Sequence, residues 1–136
     1  MKKKLLIIPL IIILTGCLDQ SAKGYITKTC TKEENINGNK VLNEIKITSK
    51  TGNIETIIIK ETYDKNMDLN AITNSKKSEQ TLYKKQKGID ININENIILY
   101  TIKTNEVTED IKEKFKIKNE QHQQIKYYED NGYICK

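Results

Sequence analysis

The chain has 136 residues, 37% of them hydrophobic and 30% charged, with a formal net charge of +5. That length supports one modest core and is too short for two. All 23 basic residues are Lys, so the bidentate Arg forks favoured for phosphate and base-edge recognition are missing and nucleic acid is not an expected partner.

The first residues carry the clearest signal. Met1 is followed by Lys2, Lys3 and Lys4, an apolar run over residues 5–14, and then Leu14-Thr15-Gly16-Cys17. A basic head, a short apolar middle and small residues before a scission point are the parts of a secretory signal. The cysteine just past those small residues resembles a lipoprotein box. That resemblance implies diacylglycerol on Cys17 and cleavage between Gly16 and Cys17. Ten to fourteen apolar residues interrupted by Pro9 are too few to cross about 30 Å of hydrocarbon as an undisturbed helix.

The expected organisation is therefore a cleaved leader over residues 1–16, a lipidated cysteine and tether over 17–24, and a single domain over 25–136. The expected location is the cell membrane, lipid-anchored, on the extracytoplasmic side, with the membrane as partner through the lipid on Cys17. Without the leader's three lysines, 20 bases face 18 acids. The basic balance thus belongs mostly to the discarded head, which also argues against nucleic acid.

Residues 25–32 are β-branched and extended, with Ile26 and Cys30 on one face of a strand. Asn37-Gly38-Asn39 is a hairpin signal. Val41, Ile45 and Ile47 then share a face, with Glu44, Lys46 and Thr48 opposite. After the turn Thr51-Gly52-Asn53, residues 54–62 form a third strand. Its centre, Ile57-Ile58-Ile59, is apolar on both faces and predicts a central position in the sheet.

Residues 63–88 lose the alternation. Leu69, Ile72, Leu82 and Tyr83 predict a helix that stops at Gly88. Ile89, Ile91 and Ile93 alternate with Asp90, Asn92 and Asn94, and beyond Glu95-Asn96 the next strand carries Ile98, Tyr100 and Ile102. From Val107 the pattern is helical again. Residues 120–131 form a polar helix with Ile125 and Tyr128 inward, closed by Asn131-Gly132. Tyr133-Ile134-Cys135 then returns to the body. The order β-β-β-α-β-β-α describes a two-layer α+β fold, an antiparallel sheet with helices packed on one face.

With Cys17 assigned to lipid, Cys30 and Cys135 remain. An exported pair in an oxidising space is expected to bridge, the alternative being two buried free thiols. Such a bridge places the first strand beside the terminal Tyr133-Ile134-Cys135 segment.

The lipobox, the tether, Thr29-Cys30-Thr31-Lys32 opening the fold, the Gly88-Ile89 junction and the closing Asn131-Gly132-Tyr133-Ile134-Cys135 together resemble the YehR-like family of small bacterial lipoproteins. The resemblance spans nearly the whole mature chain. It implies a two-layer α+β domain at the cell surface or envelope and supplies no catalytic motif.

Chemistry-bearing groups are sparse. His122 is the single histidine, within Glu120-Gln121-His122-Gln123-Gln124, and has no Cys or second His at ligand spacing. The pairs Glu33-Glu34, Glu109-Asp110 and Glu129-Asp130 sit in charge-rich turns or helix faces. Asp90, Asn92 and Asn94 share a strand face but lack the glycine turn of a calcium loop. No cofactor, metal or catalytic residue is expected. Among the seven tyrosines, Tyr100 and Tyr133 are assigned to the core, while Tyr127 and Tyr128 are the candidate binding surface. The expected function is non-enzymatic binding of an extracytoplasmic protein or peptide. The alternative is a structural or protective envelope lipoprotein.

Overall fold

The computed structural model describes residues 24–136, so the leader, Cys17 and the tether up to Lys23 lie outside the described residues. Three long strands come first: β1 (Tyr25–Ile36), β2 (Asn39–Lys50) and β3 (Asn53–Tyr63). They are joined by Asn37-Gly38 and Thr51-Gly52, and all four of these residues have positive φ. Turns of that kind match the twist of the flanking strands, and glycine in the second position adopts them without strain.

Helix α1 (Asn70–Tyr83) is followed by the short strands β4 (Ile89–Asn94) and β5 (Ile97–Lys103). The chain closes with α2 (Glu109–Lys114), α3 (Gln121–Asp130) and the two-residue strand β6 (Ile134–Cys135). The sheet order is β4-β5-β3-β2-β1-β6, and every neighbouring pair is antiparallel. The fold is thus mixed α+β. β3 has a strand on each side, as its Ile57-Ile58-Ile59 core predicts.

Register decides which side chains meet. Cys30, Ile45, Ile59, Tyr100 and Ile91 form one row across the sheet, and Ile47, Ile57, Ile102 and Ile89 form the next. These rows join Tyr83, Ile111 and Tyr128 from the three helices in one apolar cluster. The opposite face carries Thr27, Lys46, Lys103 and Asp90, and no residue on it is buried. Period-two alternation along the strands is what separates the two faces.

Three expectations are corrected. α1 ends at Tyr83, with Lys84 as its cap, and not at Gly88. Gly88 has φ +80 but occupies the turn into β4, where its carbonyl accepts from the Lys103 amide at 2.7 Å. The helical stretch after Val107 contains a discrete helix, α2, that breaks at Phe115 before Lys116 takes a positive φ of 54°. The terminal segment is itself a strand, which adds β6 to the sheet.

Candidate functional site

Cys30 and Cys135 are disulfide-bonded. Residues Thr29 and Lys136 exchange backbone bonds at 3.0 and 2.9 Å, so the cysteines occupy the adjacent non-hydrogen-bonded pair, where side chains approach most closely. The bridge thereby holds β6 and the end of the chain against β1.

Tyr127 and Tyr128 do not form one surface. Tyr128 is 6% exposed and stacks in the core against Tyr133, with ring centroids 5.1 Å apart. Tyr127 is half-buried beneath the Lys118 ammonium, 5.5 Å from its ring. Tyr100 is a core residue as expected, and Tyr133 is half-buried against the same cluster.

The His122 side chain is 76% exposed and lies 3.1 Å from the Glu120 carboxylate. Asp90, Asn92 and Asn94 are all exposed. Among the described residues no group of three or more His, Cys, Asp or Glu is arranged to hold a metal ion.

Two features absent from the sequence reading stand out. The first is a polar network beneath α1. Counting along β3 from Ile57 and Ile59 puts Glu61 and Tyr63 on the same inward face, and an acid at an inward strand position is the signal that could have found it. The Lys76 ammonium donates to the Tyr100 hydroxyl and lies 3.5 Å from Glu61 and 3.7 Å from Glu79. Tyr100 in turn donates to Glu79 at 3.1 Å, Tyr63 donates to Glu61 at 2.7 Å, and Lys114 sits 3.3 Å from Glu79. Burial, reinforced by these carboxylates, pushes the Tyr63 and Tyr100 phenols well above their ordinary value. Both are therefore protonated donors at neutral pH. The network ties α1 and α2 to β3 and β5, with each carboxylate already engaged.

The second is a groove at the sheet edge. β4 is an edge strand, paired only with β5. The Lys103–Gly88 bond sets the phase of that ladder, so Asp90 and Asn92 bond to β5 while the amides and carbonyls of Ile89, Ile91 and Ile93 face the open edge. Gln80 of α1 reaches this edge and donates to the Ile91 carbonyl at 2.6 Å. A cavity of about 270 Å³ lies between the two elements, lined by Gln80, Thr81, Tyr83 and Lys84 on one side and Ile89, Asp90 and Ile91 on the other.

Two glutamines position the third helix. Gln124 is fully buried. Its carbonyl accepts from the Lys118 amide at 2.7 Å and its amide donates to the Lys116 carbonyl at 3.3 Å, bracing the loop between α2 and α3. Gln121 donates to the Ile26 and Ile47 carbonyls at 3.1 and 3.0 Å. Both sat in a run that reads as a solvated helix face, and periodicity alone does not distinguish a buried glutamine from an exposed one.

Comparison with known proteins finds no matching family model, no matching curated protein and no matching solved structure.

Proposed function

We propose that the protein is a lipid-anchored cell-envelope lipoprotein, held by diacylglycerol on Cys17, whose work is to bind an extended segment of an extracytoplasmic protein or peptide. In this reading residues 25–136 are a two-layer α+β domain related to the YehR-like lipoproteins, and the role is binding rather than catalysis. The observation that carries it is the open edge of β4 beside α1. Unpaired strand amides next to a side-chain-lined groove are the elements of strand addition, in which main-chain bonds supply affinity and flanking side chains supply selectivity. Gln80 occupies one carbonyl of that edge, so an incoming strand exchanges this contact for its own amide.

A photoreactive residue at Thr81 tests the reading in intact cells, with a second at Lys126 on the exposed side of α3 as reference. A discrete adduct is expected at Thr81 and not at Lys126. Ile93→Pro removes an amide that faces the open edge and leaves the β4–β5 ladder intact, because Pro is tolerated at such edge positions. That variant should stay folded by circular dichroism and lose the adduct. An adduct that survives Ile93→Pro, or none at Thr81, overturns strand addition at β4.

A further inference from the structure

One end of the sheet gathers the start of the folded chain and an unneutralised run of lysines. Tyr25 pairs with Lys50, Lys50 with Asn53, Thr56 with Lys103 and Ile89 with Ile102. β1, β3 and β4 therefore begin, and β2 and β5 finish, at the same end. The Thr51 amide donates to the Gly24 carbonyl at 3.3 Å, so the chain coming from Cys17 joins the domain there.

The connection from α1 to β4 lies at this end as well and carries Lys84, Lys85 and Lys87, all exposed. Just before them Leu82 is 62% exposed. Lys118 arrives from the α2–α3 loop, beside the Ile54 amide that bonds to the Asn119 carbonyl at 3.2 Å. Among the described residues no carboxylate pairs with Lys84, Lys85, Lys87 or Lys118. The acids nearby are Glu106, which pairs with Lys103 at 3.7 Å, Glu109, which pairs with Lys112 at 2.7 Å, and Asp90, Asp110, Glu55 and Glu120.

The far end of the sheet has the opposite character. Glu33, Glu34, Asp64 and Glu95 cluster around the β1–β2 and β4–β5 turns. Two of its lysines are paired, Lys32 with Glu34 at 2.7 Å and Lys40 with Glu33 at 2.9 Å, while Lys65 beside Asp64 is exposed.

We propose that the tether end docks on a bilayer surface bearing anionic headgroups, with Lys84, Lys85 and Lys87 in the headgroup layer and Leu82 at the acyl boundary. The proposal rests on the reading of Cys17 as the lipid-bearing residue. A tether over residues 17–24 reaches at most about 28 Å when fully extended. The domain therefore stays within a few Debye lengths of the surface, each about 8 Å, where lysines are attracted to anionic lipid. The acidic end is repelled by the same field, so the molecule stands with β1 rising from the membrane. A basic face with an exposed apolar side chain is the surface chemistry of a peripheral lipid contact.

The test uses the full lipidated chain in vesicles of phosphatidylcholine alone, or with about 30% phosphatidylglycerol to supply anionic charge. A water-soluble acetylating reagent is applied and each lysine is read by mass spectrometry. Lys84, Lys85 and Lys87 are expected to react several-fold more slowly on the anionic vesicles, while Lys40, Lys65 and Lys126 react alike on both. Salt at roughly 1 M, which shortens the Debye length to about 3 Å, should abolish the difference. Replacing Lys84, Lys85 and Lys87 together by Gln should release Lys118 from protection. Equal reactivity on the two vesicles, with the protein floating on both, overturns the docking and leaves the anchor standing. A chain that fails to float with phosphatidylcholine vesicles overturns the lipid on Cys17, and the docking falls with it.

Discussion

Gly88 lies so close to Glu106 that a Cβ built on the glycine would stand 2.7 Å from the Glu106 Cβ and 2.9 Å from its carbonyl carbon. Both partners are fixed, since Lys103 bonds to the Gly88 carbonyl and the Val107 amide bonds to the Lys103 carbonyl. The close approach holds the end of β5 against the start of β4. Gly88→Ala should therefore cost about 2 kcal/mol or more, combining an unfavourable positive φ with displaced backbone. Gly38→Ala, with φ +83 and nothing within 4 Å, should cost only about 1 kcal/mol. Urea midpoints measured on the two variants check the contrast.

The bridge between Cys30 and Cys135 closes a sequence separation of 105 residues. Replacing both cysteines with Ser should lower stability by about 2–5 kcal/mol. The loss should appear equally in the wild-type protein unfolded under reducing conditions. Folded, unreduced protein should resist thiol alkylation at both positions, and prompt alkylation would sink the assignment.

Gln124 is isosteric with Glu, which makes Gln124→Glu a clean probe of its two bonds. A carboxylate can still accept from the Lys118 amide but presents an oxygen to the Lys116 carbonyl, in a fully buried site. The variant should lose about 3 kcal/mol at neutral pH. Burial raises the pKa of the introduced acid, so the folded state binds a proton that the unfolded state has released. Stability should recover as pH falls toward the ordinary carboxylate range and be lost again as it rises. Denaturation series at several pH values read this directly.

Burial holds the phenols of Tyr63, Tyr100 and Tyr128 above their ordinary value, with nearby Glu61 adding to the effect at Tyr63 and Tyr100. Tyr133 is raised for the same first reason. Because the native state keeps these protons where the unfolded state loses them, their stabilisation is complete below about pH 10 and declines above it. Phenolate absorbance should show these tyrosines titrating late in the folded protein, with all seven ionising together near pH 10 in denaturant. Uniform titration of the native protein near pH 10 would contradict their burial.

The strands were legible because each buries one face. The alternation of Ile89, Ile91 and Ile93 and the doubly apolar centre of β3 are direct imprints of sheet geometry, and they located β4 and β3. Cysteine position added a long-range contact that periodicity does not supply, since Cys30 beside Cys135 requires the last residues to pair with the first strand. The end of α1 was misjudged because a glycine after a helical stretch serves equally as a cap or as a close-packing point. Only the neighbour, Glu106, decides between them, and it is distant in sequence. Tyr128 was legible as an inward residue, whereas Gln124 was not: it faces inward from a helix whose overall composition is polar, so the surrounding residues masked its burial.

The order in which the two bonded cysteines are synthesised has its own consequence. Cys30 is made early and Cys135 is the penultimate residue, so at ordinary elongation rates the first thiol waits on the order of 5–20 s for the second. During that interval Cys17 is the only other sulfhydryl in the growing chain. It lies thirteen residues away, close enough to compete for Cys30. If Cys17 carries lipid as proposed, the thioether would remove that competitor, and the modification would also protect the pairing of Cys30 with Cys135.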